Sequence, residues 1–443
     1  MITLFISVLL QASFAQSNSA NYGIGPRTLA ESVKAAIELN PKTRSKNLQL
    51  QSIHEVTKGT RADMYPQGAI SCSAGTANSH SDSNWTDSSH VNSSSKSCGV
   101  SASVTIYDGG AGYNRYKASQ KQEEAVREQF NSTNPYLQNT KGQLAAQAMA
   151  SYMSIILQEE LKASALSGRD ILRKILTAAN KTEDRGLVNA KISDMDQSFI
   201  RSEASRKQAV SSFVNVTTLE PSGTLEGLDE SIAHVVIPGT ADEAVEISLE
   251  RNPEVKAMNA SLEAAQYTLK AARASMGPYL AAVVSYDVFH NSQGGFAPYR
   301  GHGSNAYAGV RLVIPFVPAQ IHYSRAQRYA VEAARAEREA ALSDAKFGIE
   351  NTYAQLDSAL EQHQMNLESY ADAVRMIQNT LAKINQQDPG LPTIQVCLSQ
   401  FENLQGNYVS MIQSKIEILT LKFSIQQITG TVFDESLRAA QNR

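Results

Sequence analysis

Apolar positions along the chain keep two rhythms, and the change from one to the other happens twice, after Pro66 and after Pro278. Beyond each proline the period drops to two. Val100, Ala102, Val104 and Ile106 alternate with Ser101, Ser103 and Thr105, and Ala306, Ala308, Val310, Leu312 and Ile314 alternate with Asn305, Tyr307 and Arg311. The partner segments are LAAVVSYDVF after Pro278 and the weaker Gln67–Asn78, where Ile70, Cys72 and Ala74 stand against Ser71 and Ser73. This pattern predicts strands near 67–78, 98–107, 280–289 and 305–314. Each has one apolar and one polar face, with the length and alternation of a strand crossing a membrane in a barrel. Polar stretches Ser79–Ser97 and Asn291–Ser304 would join them as hairpin loops.

Each hairpin leads into a long helical pattern. In the second half Ile349, Tyr353, Leu356, Leu360, His363, Leu367, Tyr370, Val374, Ile377, Leu381 and Ile384 step by four and three, a heptad seam. If continuous, Gln320–Gln387 would span on the order of 100 Å at ~1.5 Å per residue. The turn Asp388–Pro392 breaks it, and a returning helix with Ile394, Leu398, Phe401, Tyr408, Ile412 and Leu419 runs to Thr429-Gly430. In the first half Tyr113–Arg185 is helical, the break is expected at Arg185–Asn189, and Ala190–Phe213 returns. The segment Asn131–Gln138 has no counterpart, and Pro135 should interrupt that helix or bulge out of it.

These parallels have a common origin. At a constant offset of 212, thirteen of the 39 positions of Thr28–Pro66 are identical in Thr240–Pro278, with no gap. Both copies open with a capping box, Thr28 with Glu31 and Thr240 with Glu243. Both carry Asn-Pro inside the helix, at Asn40-Pro41 and Asn252-Pro253, where the proline should kink it. The chain therefore divides into a leader 1–15, an N-terminal extension 16–27, repeats 28–216 and 240–430, a Gly/Pro-rich linker 217–239 and a tail 431–443. The leader MITLFISVLLQASFA has the apolar core and small residues of a secretory signal peptide, although no Lys or Arg precedes its core.

Composition narrows the function classes. The net charge of −3 offers nothing to a polyanion, so nucleic acid is not an expected partner. The apolar content is largely Ala, with 12 Phe and 1 Trp, which suits long close-packed helices. Gly109-Gly110-Ala111-Gly112 lacks a Walker lysine and is a strand-to-helix turn. The eight His show no metal-ligand spacing and no Ser/His/Asp grouping stands out, so neither enzyme chemistry nor a cofactor or metal is expected. An oxidising compartment would allow Cys72 and Cys98 to pair, centring their hairpin on Trp85 and giving both the parity of Ile70 and Val100. Cys397 falls in a helical pattern as a buried thiol.

Four strands cannot close a barrel, and open edges are not tolerated in lipid. Symmetric association, three copies giving twelve strands, resolves this. In this duplicated order the sequence resembles the TolC-like outer-membrane ducts of Gram-negative bacteria. The resemblance rests on both Asn-Pro repeats, on the Pro66 and Pro278 strand entries, and on the transitions Ile106-Tyr107-Asp108-Gly109-Gly110 and Ile314-Pro315-Phe316. The turns Gly186-Leu187-Val188 and Gly390-Leu391-Pro392 and the late Gly430 add to it. It implies a mainly α fold with membrane β: a duplicated helix, β-hairpin and long helical hairpin, trimerising into a twelve-stranded barrel continued by a periplasmic α-helical barrel. It also implies a passive homotrimeric channel in the outer membrane, in contact with its lipid. Such a channel docks a periplasmic membrane-fusion adaptor and an inner-membrane ABC exporter or proton-driven pump. The implied docking tips are Gly186, Leu187, Val188, Gly390, Leu391 and Pro392, and the nearest acids for a periplasmic gate are Asp194 and Asp196. The second-half positions Val396, Cys397, Leu398 and Ser399 carry no carboxylate. Tyr107-Asp108-Gly109-Gly110 and the lack of a lipidation Cys favour type I secretion over the lipoprotein ducts of multidrug or metal pumps. A structural coiled-coil envelope protein would explain the heptads but not the paired strands.

Overall fold

The computed structural model describes residues 25–83, 86–132, 134, 140–294, 299–385 and 393–432. The elements follow in the order α1 (Leu29–Leu39), α2 (Pro41–Ala62), β1 (Gln67–Ser83), β2 (Thr86–Tyr107), α3 (Ala111–Asn131), α4 (Lys141–Ala178), α5 (Thr182–Thr217) and α6 (Leu228–His234). The second half adds α7 (Ala241–Arg251), α8 (Pro253–Ala274), β3 (Tyr279–Gly294), β4 (Tyr299–Val313), α9 (Pro318–Asn385) and α10 (Ile394–Thr429).

The duplication is written in hydrogen bonds as well as residues. Thr28 Oγ1 accepts from Glu31 N at 3.2 Å while Glu31 accepts from Thr28 N, and Thr240 Oγ1 accepts from Glu243 N at 3.3 Å. Each Asn-Pro does more than kink a helix. The residue before proline is pushed out of the helical region, and Asn40 (ψ 130°) and Asn252 (ψ 119°) both end one helix immediately before another begins. Pro253 then takes the first helical position, where a missing N–H costs nothing. The two asparagine amides also reach matching targets: Asn40 Nδ2 donates to Val216 O at 2.8 Å and Asn252 Nδ2 to Ile428 O at 3.0 Å. The partner carbonyls are themselves 212 residues apart, as are Thr218 and Gly430 beyond them, both with positive φ.

The chain forms two compact units. One takes residues up to Asn40, Leu144–Val235 and Ala359–Thr420. Its apolar cluster joins Leu172, Ile175, Val188, Ile377, Ile384, Ile394, Cys397 and Phe401, contributed by α4, α5, α9 and α10. Gly168 lets α4 approach this cluster, because a Cβ there would lie 3.1 Å from the Phe401 ring and 2.8 Å from Gln405. The other unit takes Pro41–Gln143, Val236–Ser358 and the chain from Leu421 onward, and contains the sheet. Its helix α3 packs along α8 through small residues including Ala125, Ala260 and Ala264. Cross-links at Thr57–Ser119 (3.2 Å) and Lys121–Glu263 (2.9 Å) tie α3 to α2 and α8.

Two expectations about element limits need correction. The strands do not stop where alternation stops: they extend through most of both expected loops, with Asn92 opposite Gly294 and Gln293 opposite Tyr299. A ladder needs only backbone pairing, so it continues where both faces are polar and the period-two signal is gone. The heptad seam is also displaced. Leu360 is exposed while Thr352, Ala359, Ala373 and Thr380 are buried beside Ile349, Leu356, Ile377 and Ile384. Small residues thus occupy one flank of the buried stripe, where they permit close helix approach. The expected break around Pro135 is borne out in position, since α3 ends at Asn131 and α4 starts at Lys141. Pro135 itself lies outside the described residues.

Candidate functional site

The sheet is antiparallel in the order β1-β2-β3-β4, so β1 and β4 are its outer strands. Residues directly opposite in an antiparallel pair share a face, and the register sorts the sheet into two surfaces. One carries Ile70, Cys72, Cys98, Val100, Ala102, Val104, Leu280, Ala282, Val284, Tyr286, Val288, Ala306, Ala308, Val310 and Leu312. The other carries Ser71, Ser73, Ser97, Ser101, Ser103, Ser285, Asp287, Asn305, Tyr307 and Arg311, with Ala69, Ala281, Val283 and Phe289 among them. Across the first surface Leu280 to Val288 rises about 27 Å along the strand at ~3.4 Å per residue, or a little over 20 Å after a tilt of ~40°. That approaches the ~25 Å apolar band of an outer-membrane barrel. In the isolated chain Ile70, Val284, Val310 and Leu312 on this surface are all exposed. Cys72 and Cys98 are register partners joined by a disulfide on the same apolar surface.

Each strand meets a helix through a short joint. Pro66 and Pro278 stand immediately before β1 and β3. After Tyr107 the Asp108 carboxylate accepts from Gly110 N at 2.9 Å and Gly112 N at 2.6 Å, holding the first turn of α3. Gly109 (φ 65°) and Gly110 (φ 83°) occupy left-handed conformations that a side chain would strain. The equivalent joint in the second half uses Pro315 and Phe316 before α9, and the Phe316 side chain is 95% exposed. Near these joints Tyr65, Tyr107 and Tyr113 are also exposed, the residue type that settles at a membrane–water boundary.

The expected tip at Gly186-Leu187-Val188 is not a turn. The chain reverses at Ala179–Lys181, and all three residues lie in the first turns of α5. Two local signals place that start: Lys181 is extended, and Glu183 and Asp184 favour the positive end of the helix dipole. Gly186 has nothing within 4 Å of where a Cβ would be, so no turn geometry demands it. Leu187 is 45% exposed, whereas Val188 is fully buried in the four-helix cluster. Gly390, Leu391 and Pro392 lie outside the described residues.

Asp194 and Asp196 follow on α5, and each faces a cation of its own chain. Arg169 lies 3.4 Å from Asp196, and Lys191 lies 3.7 Å from Asp194 and 2.6 Å from Glu402. The Glu402 bond, offset by some desolvation, holds the Lys191 ammonium above its ordinary range. Burial pushes the Cys397 thiol up, which keeps it protonated and unreactive. Above this level Tyr408 donates to Glu160 at 2.6 Å, and burial raises its phenol pKa. No group of three or more metal-ligating side chains is present among the described residues.

A two-faced sheet with two open edges, bracketed twice by long helices, has a close match among known families. The profile of the family described as outer membrane efflux protein matches residues 33–175 and again 244–386, one match per repeat. The chain belongs to the outer membrane efflux protein family. That makes it a passive outer-membrane efflux channel with a helical periplasmic extension, and not an enzyme. Solved structures share the fold at low identity. CusC is 15% identical with a TM-score of 0.69, covering 94% of this chain and 95% of its own. VceC from Vibrio cholerae is 12% identical with a TM-score of 0.66 over 91% and 96% of the two chains. CmeC from Campylobacter jejuni is 14% identical with a TM-score of 0.63 over 94% and 88%. No curated protein matches the sequence.

Proposed function

We propose that three copies join edge to edge, β4 of one pairing with β1 of the next, to close a twelve-stranded barrel around a hydroxyl-lined lumen. The observation that carries this is the pairing of one continuous apolar surface with two outer strands whose other edges have no strand partner among the described residues. Lipid cannot hydrogen-bond those edges, so closure by symmetry is the economical solution. In an outer-membrane fraction the protein should migrate as a trimer unheated and as a monomer after boiling. A protein confined to the soluble periplasm would overturn the reading.

The barrel serves as the exit duct of a tripartite system, receiving cargo from an inner-membrane pump through a periplasmic adaptor. Efflux of small molecules is the first reading, supported by the description of the matched family. Polypeptide export by a type I system is the second. Its sequence support, Tyr107-Asp108-Gly109-Gly110, is accounted for locally by the Asp108 hydrogen bonds and two left-handed glycines. Deleting the gene and scoring both antibiotic or metal susceptibility and the secreted proteins separates the two.

The adaptor is expected at the helix turns, with Leu187 rather than Val188 presenting the surface because only Leu187 is exposed. Gly186 stands beside Leu187; Gly390, Leu391 and Pro392, outside the described residues, are assigned to docking from the sequence alone. Leu187→Asp or Gly390→Trp should abolish export while leaving trimers in the membrane, and unchanged export would remove the turns from the docking surface. At the gate, the Arg169–Asp196 and Lys191–Asp194 pairs hold the acids in a closed arrangement. Arg169→Ala together with Lys191→Ala should then raise single-channel conductance in planar bilayers. Unaltered conductance would exclude Asp194 and Asp196 from the constriction.

A further inference from the structure

The apolar surface of the sheet ends differently at its two limits. Toward the helices its last residues are Tyr107, Leu280 and Leu312. Toward the hairpin turns, the level of Cys72, Cys98, Val288 and Ser304 is followed by Ala74, Lys96, His290 and His302, one residue per strand. Register partners in adjacent strands have Cβ atoms about 5 Å apart, so one ammonium and two imidazoles make a single strip. Hydroxyls take the next level, Thr76, Ser94 and Ser292, with Ser94 Oγ and Ser292 Oγ 2.6 Å apart. Among the described residues no carboxylate shares this surface between Gly68 and Thr76 or at the levels paired with them. The nearest acid, Asp287, has the opposite parity and lies over Gly99.

An ammonium facing hydrocarbon would be costly, yet Lys96 stands where the apolar levels stop. The Lys96 ammonium is a charge-assisted donor for a phosphate, imidazole N–H groups and hydroxyls add donors beside it, and a positive charge beside a bilayer is drawn to anionic headgroups. We propose that Lys96, His290 and His302 bind the phosphate headgroups of lipids in the leaflet around the hairpin end of the barrel, fixing the depth at which the barrel sits. The inference deepens the barrel reading and rests on it. A metal ion shared by His290 and His302 is the poorer occupant, because the Lys96 ammonium stands directly beside His290 and repels a cation.

Full-length trimers in phosphatidylcholine nanodiscs doped with phosphatidic acid, analysed by native mass spectrometry, provide the test. The wild type should retain phosphatidic acid over phosphatidylcholine by about tenfold. K96Q/H290Q/H302Q should lose that preference and K96R/H290R/H302R should keep it. Equal retention by the wild type and the glutamine variant overturns the proposal, as does a preference that requires zinc and vanishes with EDTA. If the triple glutamine variant does not assemble, Lys96→Gln and His290→Gln are read singly in the same way. Wild-type trimers without lipid preference would sink only this inference, whereas absence of trimers would sink the barrel reading beneath it.

Discussion

The two repeats solve the same construction with different means. Their first helices are capped alike, and the Asn40 and Asn252 amides close onto carbonyls 212 residues apart. Between those shared points they diverge. The first half interrupts its long helix between Asn131 and Lys141, whereas α9 runs unbroken for 68 residues. The first hairpin carries a disulfide across its strands and the second has none. Where the second half ends α10 with Gly430 in a left-handed conformation, the first places Thr218. What stays fixed is the set of side chains that close a repeat on itself, and what varies is how the wall between is reinforced.

The largest test of that difference concerns the disulfide. Cys72 and Cys98 are 26 residues apart, and a chain-entropy argument assigns closure of such a loop about 3.5 kcal/mol. C72A/C98A should lower the stability of the trimer in detergent by roughly that amount, seen as a lower guanidinium midpoint. No change would mean that the first hairpin gains nothing from its covalent tie.

Next in size are the asparagines. Asn40→Leu leaves the Val216 carbonyl without its amide donor, and Asn252→Leu does the same to the Ile428 carbonyl while removing the cap on Glu254 N. Each should cost about 2 kcal/mol in chemical unfolding. An unchanged midpoint in either variant would show that its clasp adds nothing. Thr218 gives a smaller effect of opposite sign. A β-branched residue at φ 62° is strained, so Thr218→Gly should stabilise by about 1 kcal/mol. Gly430→Thr should destabilise by more, because a Cβ there meets Arg251 O at 3.1 Å and the Pro253 ring at 3.2 Å. Thermal unfolding of the pair of swaps decides whether the two positions are equivalent.

The smallest effect depends on pH. His363 on α9 is bonded to Ser414 at 2.7 Å. Burial first, and the neighbouring Lys415 second, hold the His363 pKa below its ordinary value, with Asp229 opposing them. The folded state therefore binds fewer protons at this site than the unfolded chain. Stability should fall as pH drops below about 6.5, the value in an unfolded chain. His363→Gln should flatten that part of the profile, and an unchanged slope between pH 7 and 5 would assign it to other groups.

Much of the fold could be read because its signals are local. Capping threonines and prolines before strands act within a few residues, and duplication made them visible twice; the Asp108 turn is as local but occurs once. The misplaced helix turn shows where such reading fails. Gly186 drew attention as a breaker, but nothing crowds it inside α5, and the real signals were Asn180 followed by Thr182-Glu183-Asp184. Leucines drew the seam toward Leu360, whereas packing selected Ala359, since the side chain that fits depends on a neighbouring helix that spacing does not describe. The Lys96–His290–His302 strip was out of reach, because it exists only once strands 194 residues apart are brought to one level.

The asparagine clasps have a meaning for ancestry. A segment that ties its opening helix to its closing one has no exposed loose end that a second copy must cover. One such segment contributes a single hairpin and a single helical pair, so six separate chains would supply the same wall as three duplicated ones. Fusing them would leave each clasp intact and free the two halves to diverge, one acquiring a covalent brace and the other an uninterrupted helix.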